Sequence, residues 1–129
     1  MEPICQISFT GMPAINLDPL RQSIQSNPCA FRHPHLAEEA YLITPHPNTA
    51  RLVEPDLTRN PYAGTGGSAL LKIFPQSLWL QLDMAADLSL QQLALLLLPL
   101  LRQREFTVFT DTGVDVTSRY RDKPEDLFR

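Results

Sequence analysis

Eight leucines fall within the twelve residues from Leu90 to Leu101, in the run LQQLALLLLPLLRQR that closes on Arg104. An amphipathic surface helix keeps one apolar stripe and leaves its remaining face polar. Here Leu90, Leu93, Leu97 and Leu101 mark one face, while Leu95, Leu96, Leu98 and Leu100 spread over the others. Leaving even three of them in water would forgo roughly 5 to 9 kcal/mol, at about 1.5 to 3 kcal/mol for each buried side chain. That is comparable with the whole stability of a small domain, about 5 to 15 kcal/mol. The run is therefore expected to be covered on more than one side, by a sheet and helix of its own chain or by a second chain.

Its boundaries are uneven. Ser89 followed three residues later by Gln92 has the pattern of a capping box, with Leu88 placed to staple onto Leu93. Pro99 deletes a backbone donor and clashes with the preceding turn, so the helix is expected either to kink there or to end near Leu98. The uncharged stretch from Leu88 to Leu101 is fourteen residues long, short of the roughly 20 that a bilayer span requires, and reads as a buried helix. No basic segment followed by an apolar one opens the chain, so no secretory signal is expected.

The 129 residues are 43% hydrophobic and 19% charged, as expected for one folded domain over 1–129. Twelve prolines against five glycines predict short elements joined by stiff connections. Ile4 to Phe9 reads as a strand, stopped by Gly11-Met12-Pro13. Asp18 before Pro19 starts a short helix with Leu20 and Ile24 on one face, and Asn27-Pro28 ends it. Ala40 to Thr44 and Ala50 to Glu54 read as a strand pair across Pro45 to Thr49. Leu70 to Phe74 and Leu78 to Met84 form a second pair, with Leu78, Leu80, Leu82 and Met84 all facing one way. Glu105 to Thr110 reads as the last strand, and 119–129, with seven charges in eleven residues, as a charged surface tail. The order describes a single α+β domain, a largely antiparallel sheet of about five to six strands with two helices packed on one face.

Net charge is −3, which disfavours a nucleic-acid binder that must displace counterions from phosphate. A local basic cluster could still come from Arg102, Arg104, Arg119 and Arg121, although a helix C-terminus favoured by its dipole and a solvated tail explain these residues better. Cys5 and Cys29 have no metal-type spacing and suit a reducing, cytoplasmic setting, with a single disulfide between them left open. Asp111-Thr112-Gly113 has the triplet of an aspartic protease, which needs two such carboxylates; it is also ordinary turn chemistry.

His33, His35 and His46 lie within fourteen residues, and with Cys29 or Glu38 they constitute the metal-site candidate. The flanking Pro34, Pro45 and Pro47 argue more strongly for unliganded loop histidines, since the three lack a recognised zinc spacing. Pro55 to Ser68 reads as a long loop carrying Tyr62, Gly64, Gly66 and Gly67, whose backbone could approach an anion; no helix N-terminus follows the glycines. No cofactor is implied. The pattern best fits a non-enzymatic interaction or assembly protein, homodimer included, that grips through Leu95, Leu96 and Leu98 together with a sheet edge. The alternative is a ligand- or metal-binding domain, enzymes included, built on the glycine loop and the three histidines.

Overall fold

The computed structural model describes residues 4–129. Their elements are β1 (Ile4–Phe9), α1 (Asp18–Gln25), β2 (Ala30–Arg32), β3 (Ala40–Ile43), α2 (Pro47–Arg59), β4 (Ala69–Phe74), β5 (Ser77–Gln81), α3 (Asp87–Gln103) and β6 (Phe106–Thr110). Two short 3-10 turns, Thr117–Arg119 and Pro124–Phe128, follow. All six strands join one antiparallel sheet in the order β2-β3-β4-β5-β1-β6. The architecture is the single α+β domain expected from the sequence. With β2, β3 and α2 set aside, the remaining elements run β-α-β-β-α-β and their strands stand β4-β5-β1-β6, a split β-α-β arrangement. The β2-β3-α2 segment is inserted after α1 and widens the sheet beyond β4.

Strand alternation divides the sheet into two faces. Cys5, Ile7 and Phe9 of β1, Leu71 and Ile73 of β4, Leu78 and Leu80 of β5 and Val108 of β6 point to the main core, where Leu20 and Ile24 of α1 and Leu90, Leu93, Leu97 and Leu101 of α3 meet them. On the other face a smaller core holds Phe31, Leu42, Ala50, Val53 and Leu57. Thus α1 and α3 share one face, as expected, and α2 is a third helix that covers the inserted strands from the opposite side.

That helix overturns one expectation. Ala50 to Glu54 is not a strand, and Pro45 to Thr49 is not a hairpin connection, because His46 caps α2 and Pro47 occupies its first turn. Proline at that position sacrifices no helical hydrogen bond. Ala50, Val53 and Leu57 then recur at helical spacing on the buried side. The irregular segment previously read as Pro55 to Ser68 shrinks to residues 60–68, since Pro55 lies inside α2.

Four smaller differences have equally local causes. At Met84 the backbone turns to φ 63°, which ends the strand alternation and leaves that side chain 87% exposed. Leu88 is also exposed, so it staples nothing. Ser89 does not cap α3; Ala86 holds the N-cap position, and Ser89 Oγ donates to the Gly67 carbonyl at 2.8 Å. Within 119–129 the arginines stay exposed, but Pro124, Leu127 and Phe128 are buried and the last turn packs on α3.

Pro99 lies within α3, which continues to Gln103, so the helix does not end near Leu98. Across the α1 side, Arg21 grips Glu39 with two hydrogen bonds of 2.8 and 3.0 Å, and Tyr41 donates to the same carboxylate at 2.7 Å. These donors, Arg21 first, hold the Glu39 carboxyl below its usual pKa. The two sheet edges differ: one is short and the other is overlaid. β2 has three residues, and β6 is overlaid by the returning chain, with Thr110 N donating to Val114 O, Val116 N to Val108 O and Val108 N to Thr117 Oγ1.

Candidate interaction surface

The seventeen residues of α3 contain two charged side chains, Asp87 at the start and Arg102 near the end. Leu93 and Leu97 are fully buried against the sheet, and Leu90, Leu96 and Leu101 are buried beside them. The opposite side carries Leu88 at 53% and Leu95 at 70% exposure, with Pro99 and Gln91 exposed and Leu98 half-buried. Residues 88, 95 and 102 are a heptad apart and therefore nearly eclipsed on a helix of about 3.6 residues per turn. The result is an apolar stripe in water that ends on Arg102.

The three leucines singled out from sequence thus have different surroundings. Leu95 stands at the centre of the stripe, Leu98 lies on its margin, and Leu96 is 8% exposed and belongs to the core. Successive residues turn by about 100°, so neighbours in sequence are separated between wet and dry sides. Sequence reasoning missed Leu88, Pro99 and Arg102 as parts of the same stripe, although the 88-95-102 spacing carried the signal.

The glycine segment is structural in its contacts. Gly66 and Gly67 adopt φ +64° and +75°, and a Cβ on Gly66 would lie 2.8 Å from Thr49 Cγ2 and 3.0 Å from Val53 Cγ2. Only glycine takes that conformation this close to α2 without strain. The Gly67 carbonyl accepts from Ala86 N at 2.7 Å as well as from Ser89, so this turn ties the surface of α2 to the start of α3. A Cβ on Gly64 would meet nothing within 4 Å, and Tyr62 points into solvent at 92% exposure.

The histidines are separately engaged. His46 Nδ1 accepts from Asn48 N at 3.1 Å as the α2 cap. His33 Nδ1 accepts from His35 N at 3.2 Å, and His35 Nε2 donates to the Leu57 carbonyl. The His33 and His35 rings meet edge-on with centroids 6.1 Å apart, and burial, reinforced by His35 and Lys72, pushes the His33 pKa down. Among the described residues no group of three or more His, Cys, Asp or Glu side chains is arranged to hold a metal ion. Glu38 instead faces Lys72 at 3.7 Å. Cys5 and Cys29 are both buried and carry no disulfide, and burial raises the Cys29 thiol pKa.

At the C-terminal end of α3 a cleft of about 860 Å³ opens between that helix, the start of β6 and the last turn. Arg102, Arg104 and Arg121 line it together with Glu105, Asp122 and Glu125, so its charges balance. Arg104 is committed to the Pro13 carbonyl at 2.7 Å, and the lining holds no cysteine, histidine or serine. An anion there would also meet the negative end of the α3 dipole. The Asp111-Thr112-Gly113 triplet forms the turn after β6, with Gly113 at φ +84° and its N–H on the Thr110 carbonyl.

The frame and the stripe together define a small α+β domain with an unpartnered apolar helix side. Comparison with protein-family models, curated proteins and solved structures returns no match. Among the described residues no helix is long and apolar enough to cross a membrane.

Proposed function

We propose that this chain is a non-enzymatic protein–protein interaction protein, acting in the cytoplasm, that docks through the solvent side of α3. The observation that carries this reading is the exposure of Leu88 and Leu95 on a helix with no charge between residues 88 and 101. Isolated surface leucines are commonplace; Leu88, Leu95 and Pro99 instead share one uncharged side of a single helix, interrupted only by glutamines, and apolar surface gathered on one side is what marks docking sites. Chaperone, adaptor, inhibitor and complex subunit are all roles such a surface can serve. The edges contribute little, since β6 already pairs with residues 114–117. Two buried cysteines without a disulfide support a reducing compartment.

The rival reading, a ligand or metal site on the glycine turn and histidines, draws less support because Gly66, Gly67, His35 and His46 are each occupied in holding α2 and α3. The test compares affinity capture by the wild type, Leu95→Lys, Leu52→Lys and His33→Ala. Leu52 is the control, a lone leucine 71% exposed on α2. Loss of the bound protein with Leu95→Lys alone is the expected outcome. Equal retention by all four chains would remove the assignment to α3.

A further inference from the structure

The two charges of α3 are placed so that the helix complements itself. Asp87 and Arg102 are fifteen positions apart, which at about 3.6 residues per turn puts them about 60° from each other around the axis, on the same flank of the stripe. We propose that the occupant of this face is a second copy of this chain, its α3 packed antiparallel to the first about a two-fold axis through Leu95. The inference rests on the reading of α3 as a docking surface.

In this register Leu95 meets Leu95, Leu88 lies over the stem of Arg102 from the second copy, and each Asp87 comes within reach of that guanidinium. One two-fold operation makes both ion pairs, as an isologous interface requires. A parallel pair would set Asp87 against Asp87 and Arg102 against Arg102. The ends of the helix extend the match. Met84 is 87% exposed before α3, and Met12 is 92% exposed in the loop that Arg104 anchors at the other end through Pro13. Antiparallel packing brings the Met84 end of each copy toward the Met12 end of the other.

The helix is about 26 Å long at about 1.5 Å per residue. One such helix pair covers less than the roughly 800 Å² per partner of a standard stable interface. The dimer is therefore reversible and concentration-dependent.

Sedimentation velocity over a wide concentration range, with wild type, Leu95→Lys, Arg102→Glu and the double variant Asp87→Arg/Arg102→Glu, tests this directly. All three positions are exposed, and circular dichroism checks that each variant folds. Wild type is expected to dimerise, Leu95→Lys to remain monomeric, Arg102→Glu to weaken association about tenfold, and the double variant to recover most of that loss, as two exposed ion pairs are broken and then re-formed. Leu95→Cys should form a disulfide-linked dimer under mild oxidant, since only a residue on the axis faces its own copy, whereas Leu52→Cys should not. A wild type that stays monomeric throughout overturns the second copy and leaves the docking face to the capture experiment. A dimer indifferent to Leu95→Lys overturns both. Weakening by Arg102→Glu with no recovery in the double variant overturns the antiparallel register.

Discussion

α2 and α3 both carry an internal proline, both start beside the glycine turn, and they differ in what they leave in water. α2 buries Ala50, Val53 and Leu57 and exposes Leu52 among Arg51, Glu54, Asp56 and Arg59. α3 buries six residues and still exposes Leu88 and Leu95 with no charge between residues 88 and 101. The first is a helix finished by its own domain: one apolar stripe, one core, a charged outer side. The second has more apolar surface than one sheet can cover. The difference shows that leucine content alone does not say which helix leaves apolar surface in water; the composition of the side facing away from the core does.

Three measurements would break or sharpen this contrast. The largest effect should come from Leu97→Ala, a fully buried side chain, at about 2 to 5 kcal/mol of lost stability in denaturant unfolding. Leu95→Ala, two residues away and outside, should stay within about 0.5 kcal/mol in the monomer. Similar losses at the two positions would erase the distinction between the sides of α3.

The prolines come next. Pro99 and Pro55 are both exposed within their helices, so alanine at either position should restore a helical hydrogen bond and raise the thermal midpoint, by up to about 3 kcal/mol in stability. A lowered midpoint at one of them would mean that its ring supports a bend the fold depends on. The smallest effects belong to the two helix starts. Ser89→Ala should cost about 1 kcal/mol through the Gly67 carbonyl, and His46→Ala about 1 kcal/mol through the α2 cap. Hydrogen exchange should place the first loss at the start of α3 and the second within α2, and identical exchange patterns would contradict separate anchoring.

The frame was legible wherever periodicity was strong. β1, α1, β4, β5, α3 and β6 are all visible as runs of apolar residues at a spacing of two or of three and four. In the β2-β3-α2 insert only β3 was, read as Ala40 to Thr44; β2 is three residues long, and the proline pair around His46 reads as punctuation until one knows that Pro47 opens a helix. Ser89 resembled a cap because hydroxyl spacing alone does not say which donor or acceptor is near; a carbonyl from residue 67 is a long-range contact that no local pattern encodes. Leu127 and Phe128 were submerged in a charged segment, yet two adjacent apolar residues were themselves the signal of an anchor. In α3, Leu95 proves exposed and Leu96 buried, a division that sequence did not reveal because assigning the dry side required knowing which neighbours the sheet supplies.

The overlay of β6 by residues 114–117 has a consequence for how such molecules can accumulate. A strand whose outward groups at Val108 and Thr110 are already bonded offers a poor template for main-chain pairing with another molecule, and the opposite border is only three residues long. Crowding at high concentration is therefore steered away from fibrils that lengthen strand by strand. A variant such as Thr117→Val, which unseats the Val108 contact, is where that protection should first begin to fail.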